Sequence, residues 1–159
     1  MKQEYRDELR ECFKEISEIN NFVINNVGDS KNKYLQLYLV MRCCGAVEHI
    51  FKHLVFDKIT FQQDQRIVSY FENVVLRNPV NPSYGNICEV IGRIDSSWSN
   101  CFKSKFSKND GHLQRLDSFV KNRHRFAHGV STTIPSINET KDNLISACFV
   151  LSRLEQSLI

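Results

Sequence analysis

The sequence predicts an all-α protein, a single up-and-down helical bundle of five to six helices spanning residues 1–159. Three observations carry this. Apolar residues recur at steps of three and four, the spacing of one helix face. Only six Gly and three Pro interrupt 159 residues, so helix breakers are few. No alternating strand runs, internal repeats or low-complexity tracts occur.

Each element follows from its own pattern. Leu9, Cys12, Phe13, Ile16, Ile19 and Val23 place one stripe on a helix over about 3–26, ended by Gly28-Asp29-Ser30. A second helix, about 31–56, carries Leu37, Val40, Met41, Cys44, Val47 and Phe51. It is apolar almost all round in its first half, which predicts the most buried element. Asp57 to Thr60 reads as a break, and Gln63 to Leu76 as a third helix. Two prolines make 78–83 a loop. Ile87, Val90, Ile91, Ile94, Trp98 and Phe102 give a fourth helix over about 84–104. Lys108 to Gly111 is a turn, and the fifth helix runs from Leu113 to His128, with Gly129 where a left-handed cap belongs. Ser136 and Glu139 form a capping box for a last helix to about 157.

The bulk numbers narrow the function classes. A chain this long can bury a core without disulfide or metal staples. The six cysteines lack C-x-x-C spacing and fall mostly on apolar positions, so they read as buried reduced thiols. The N-terminus is charged with no apolar signal region, and the run Leu37 to Met41 is far short of a membrane span. The expectation is a soluble, cytoplasmic protein with no membrane contact. A net charge of +3 permits a polyanionic partner without demanding one.

One segment departs from its surroundings. The stripe Leu113, Leu116, Val120, Ala127 should be apolar throughout, yet Arg123 and His124 interrupt it. Either Arg123 is paired with an acid such as Glu48 or Asp117, or the position faces a cleft or a second subunit. At 100° per residue, His124 and His128 lie within about 40° of each other, whereas Arg123 and His128 point about 140° apart. A long Arg can reach round, the helix can loosen at Gly129, or a second copy can complete the site across a two-fold axis, and the last is favoured. Metal-free RNA cleavage needs a base for the 2′-hydroxyl, an acid for the 5′-oxygen and a cation at the phosphorane. Histidine and arginine supply these at neutral pH. Between residues 101 and 128, seven cations stand against Asp110 and Asp117, an excess of five. Lys103, Lys105, Lys121 and Arg125 are the candidate RNA-backbone contacts.

Arg123-His124-Arg125-Phe126-Ala127-His128-Gly129 resembles the R-[N/H/D]-x-x-x-H motif of HEPN domains. Val40 to Glu48 looks like the central helix of the RiboL-PSP-type branch, where a small residue is followed by an acidic one. The resemblance covers most of 35–158. It implies a helical bundle that dimerises to bring two motifs together, and metal-independent endoribonuclease activity in toxin–antitoxin or antiviral defence systems. Carried over by position, Arg123 is the motif arginine, His128 the catalytic histidine and His124 the polar residue beside the arginine. Glu48 is a partner that orients Arg123 or His128. Where many toxins of this kind carry a tyrosine that receives AMP, this chain has Val130. The implied partners are RNA, a second copy and an antitoxin or defence-system protein. No cofactor and no metal are expected, although i,i+4 histidines such as His124 and His128 also suit zinc. The alternative within the family is an inactive dimer that serves as an RNA- or protein-binding module. A blander one is a structural dimerisation domain with Arg123 in a buried ion pair.

His49 and His53 read as polar positions on a half-exposed face that could line the same cleft, and His112 as a surface residue at a helix start. Trp98 and the eleven Phe read as core.

Overall fold

The computed structural model describes residues 1–129 and 133–159, which places Val130 outside the described residues. Those residues form seven α-helices and one π-helical turn, with no strand among them. Helix α1 (Gln3–Asn25) buries Tyr5, Leu9, Cys12 and Ile16. Helix α2 (Asn32–Thr60) is the central element, contributing ten buried residues from Leu39 to Val55. The turn between them closes at Gly28, whose φ of 89° is the left-handed conformation glycine tolerates best.

The break expected at Asp57 to Thr60 does not occur. No Gly or Pro stops α2 there, Ile59 packs against the core, and the Thr60 hydroxyl donates to the Phe56 carbonyl at 2.8 Å. Helix α3 (Gln65–Phe71) begins at Asp64, which accepts from the Arg66 N–H, and buries none of its own residues. It widens into a π-helical turn over Glu72–Leu76, and this turn brings Val75 into the core.

The single helix expected over 84–104 is two. Helix α4 (Tyr84–Ile94) and α5 (Ser96–Ser104) meet at Asp95, whose backbone is extended. The Asp95 carboxylate accepts from the Ser97 N–H at 2.7 Å and so starts α5. The chain folds back here because Gly92 leaves room. A Cβ at that position would lie 3.3 Å from that of Ser99, whose hydroxyl donates to the Cys88 carbonyl. The bend lets Ile91 and Phe102 both reach the core.

Helix α6 (Gly111–Ala127) is capped by Asp110, which accepts from the N–H groups of His112 and Leu113. Helix α7 (Ile137–Glu155) starts at Ser136, which accepts from the Glu139 N–H as the capping box predicts, and ends slightly short of 157. It lies antiparallel along α6, as the pairs His112–Ser146 and Arg115–Asp142 require.

Some side chains differ from expectation. Trp98 is buried, but Phe22 and Phe61 stand exposed beside the turns that flank α2. His112 is no simple surface residue. Its ring stacks on Phe149 at 4.3 Å and its Nδ1 lies 3.3 Å from the Ser146 hydroxyl. Cys12, Cys43, Cys44 and Cys88 are buried thiols. No helix of the described residues is long and apolar enough to cross a membrane.

Candidate functional site

The site is built on the last two turns of α6. Leu116, Phe119 and Val120 turn into the bundle, and Arg123, next on that stripe, follows them towards α2. Ala127, expected on the same stripe, is exposed, and Phe126 packs against the core instead. Arg123 is held from two sides. One guanidinium nitrogen lies 3.8 Å from a Glu48 carboxylate oxygen, and the other donates to the Asn81 side-chain oxygen at 3.3 Å. The second Glu48 oxygen accepts from the Lys52 ammonium at 2.7 Å. Of the two acids proposed for Arg123, therefore, Glu48 is the partner. Asp117 instead accepts from the Tyr84 N–H at 2.8 Å, which fixes the start of α4. The cluster sits on buried Cys44. Burial pushes that thiol up to about 12, with Arg123 opposing the shift and Glu48 adding to it.

Asn81 gave no signal in the sequence beyond its place in the two-proline loop. Its backbone carbonyl accepts from the Ser83 N–H at 2.9 Å and the Asn86 amide at 3.0 Å. This pins the loop and presents the Asn81 side chain to Arg123.

The histidines occupy the other side of α6. His124 and His128 are exposed, with ring centroids 4.4 Å apart and planes at 60°. His128 closes the helix, its N–H bonding back to the His124 carbonyl. Gly129 follows at a φ of 67° with its own N–H on the Phe126 carbonyl. Lys121 and Arg125 belong to the same face, because positions 121, 124, 125 and 128 repeat at helical spacing. Neither makes an ion pair among the described residues. Lys103 is exposed on α5 and Lys105 caps its end. Among the described residues no hydrogen bond or ion pair ties either lysine to the motif.

Beside Glu48, a groove of about 210 Å³ is lined by Gly45, Glu48, His49, Lys52, His53 and Leu76. The rings of His49 and His53 lie 4.0 Å apart, and His49 Nδ1 is 2.8 Å from a Glu8 oxygen. His53 Nδ1 faces the His49 carbonyl at 2.9 Å, so that nitrogen carries the hydrogen and Nε2 is left open. Two roomier surface cavities, of about 470 and 610 Å³, contain none of the motif residues. Among the described residues no three His, Cys, Asp or Glu side chains converge as metal ligands.

The described residues form an all-helical bundle in which one helix ends on an Arg-x4-His turn, with the arginine turned inward and the histidine outward, and this agrees with the HEPN resemblance of the sequence. The chain belongs to the RiboL-PSP-HEPN family, whose model matches residues 3–159. Membership points to a ribonuclease or an RNA-binding module. No curated protein and no solved structure matches the chain significantly.

Proposed function

We infer that the chain is a metal-independent endoribonuclease that works as a homodimer, as a toxin or in bacterial defence. The observation that carries this is the outer face of α6. Two exposed imidazoles lie 4.4 Å apart beside Lys121 and Arg125, which make no ion pair among the described residues. Such a face attracts a phosphate backbone with little sequence preference, and imidazoles near neutral pH can move the protons that cleavage requires. The 2′-hydroxyl attacks phosphorus as a base takes its proton. The 5′-oxygen then leaves with a proton from an acid, so the products are a 2′,3′-cyclic phosphate and a 5′-hydroxyl. His128 serves as the base or the acid, and His124 holds or orients the phosphate. Arg123 supplies the fixed charge at the phosphorane. Within one chain Arg123 and His128 point apart, so the reading draws the two groups on one phosphate from two copies. An antitoxin or defence-system protein is the partner that would hold such an enzyme in check.

The second reading, an inactive dimer that binds RNA or protein, is favoured by one specific observation. Glu48 and Asn81 already occupy Arg123. Incubating a mixed RNA pool with the protein in excess EDTA, beside His128→Ala, separates the two. Cyclic-phosphate ends produced by the wild type and lost in the variant are the expected result. Equal cleavage by both would refute the role of His128, and salt-sensitive binding without products would favour the binding module.

A further inference from the structure

The chain carries two pairs of histidines at i,i+4, and the pair outside the motif is the more completely built. His49 and His53 lie on α2 about 40° apart around the helix. Side chains at this spacing leave the backbone about 5–6 Å apart, yet these two rings converge to 4.0 Å between centroids and tilt by 46°. The cleavage chemistry above uses neither of them.

The hydrogen bonds behind the rings are the second observation. His49 Nδ1 donates to a Glu8 carboxylate oxygen on α1 at 2.8 Å, and His53 Nδ1 donates to the His49 carbonyl at 2.9 Å. Both partners only accept, so each neutral ring keeps its hydrogen on Nδ1 and presents a bare lone pair on Nε2. A carboxylate or backbone carbonyl behind one ring nitrogen is the arrangement that orients a histidine to bind a metal through the other. Glu8 is itself fixed, because Arg42 lies 3.9 Å from its second oxygen. The motif pair differs. The rings of His124 and His128 are 4.4 Å apart, but among the described residues no hydrogen bond orients either ring.

We propose that His49 and His53 bind a divalent ion of the zinc, nickel and copper class through their Nε2 atoms, with Glu8 positioning His49 and water completing the coordination. Imidazole nitrogens suit these metals, whereas magnesium and calcium demand oxygen. Two nitrogens sharing one zinc at about 2.1 Å stand roughly 3.4 Å apart, a separation that rings 4.0 Å apart reach by a small turn. The groove of about 210 Å³ that both rings line has room for the waters. Its one lysine, Lys52, is neutralised by Glu48 at 2.7 Å. His49 is half exposed, so the ion enters directly from solvent. Among the described residues no third His, Cys, Asp or Glu joins the pair as a ligand, which makes the site an open one of modest affinity. Half the donors of a four-ligand structural zinc site correspond to a Kd on the order of 1–100 µM. The inference is independent of whether RNA is cut.

Calorimetric titration of the protein with zinc chloride tests this, with circular dichroism confirming that each variant stays helical. The wild type is expected to take up one ion per chain, and magnesium chloride to give no binding heat. His49→Gln and His53→Gln should each weaken zinc binding at least tenfold. Glu8→Gln, which leaves both ligands in place, should weaken it by about tenfold or more. The double variant His124→Ala/His128→Ala should bind zinc as the wild type does. At zinc about one hundred times Kd the melting temperature should rise by about 5–10 °C, and the rise should vanish in His49→Gln/His53→Gln. A wild type that binds no zinc below about 1 mM overturns the proposal. So does binding that survives in His49→Gln/His53→Gln, which would put the ion on thiols or on the motif histidines. Affinity unchanged in Glu8→Gln overturns the positioning role of Glu8.

Discussion

Replacing Glu48 by glutamine keeps the shape of the side chain and removes only its charge. That carboxylate faces two cations, Arg123 at 3.8 Å and Lys52 at 2.7 Å. Both are largely withdrawn from solvent, with side chains 29 % and 12 % exposed against 19 % for Glu48. At an effective dielectric of ~20, the Arg123 pair alone is attracted by about 4 kcal/mol before desolvation is counted. Desolvation cancels much of this. Exposed pairs net about 0–1 kcal/mol, while breaking a fully buried pair costs about 3–5 kcal/mol. This half-buried triad lies between the two, so Glu48→Gln should cost about 2 kcal/mol. For a domain of this length that is a fall in melting temperature of about 4–8 °C. Urea unfolding of Glu48→Gln, Arg123→Gln and the double variant measures the coupling directly. The cycle should be non-additive, and the loss should change little with salt because the pair is shielded. A loss under about 0.5 kcal/mol, or strict additivity, would refute the reasoning, since Arg123 would then be positioned by Asn81 and packing alone.

Two other perturbations read different parts of the molecule. Lys121→Ala and Arg125→Ala should each weaken RNA binding uniformly across sequences and lower the slope of log affinity against log salt by about 0.7–0.9. Fluorescence anisotropy between 50 and 200 mM salt checks this, and unchanged slopes would remove the outer face of α6 as the RNA surface. Alkali should destabilise the fold through Cys44. The folded thiol keeps its proton to about 12, whereas its ordinary value is 9.0. Ionisation then favours the unfolded chain, so the thiol's contribution is complete below pH 9 and falls by about 1.4 kcal/mol per pH unit above it. Cys44→Ala should flatten the decline in unfolding free energy between pH 8 and 10, and parallel declines in the two proteins would count against this account.

Much of this protein was legible from the sequence because it depends on neighbours in the chain. The helix stripes of α1 and α2, the Ser136 capping box, the left-handed Gly129 and the pairing of His124 with His128 follow from local backbone geometry, which acts over a few residues. The divergence of Arg123 from His128 follows from helical pitch alone. The rest required the chain to meet itself. Apolar spacing runs straight through Asp95, so only the fold-back permitted by Gly92 against Ser99 divides α4 from α5. Spacing likewise could not show that α2 persists to Thr60, because Asp57 in its last turn is held by the Tyr5 hydroxyl and the Lys2 ammonium, which come from α1 and the residue before it. The sequence determined that Arg123 needs a partner, since a charge on an apolar stripe cannot remain unpaired. Tertiary structure alone decided that the partners are Glu48, 75 residues earlier, and Asn81. A hydrogen bond or ion pair depends on distances of a few ångströms between segments far apart in sequence, and no local pattern encodes those distances.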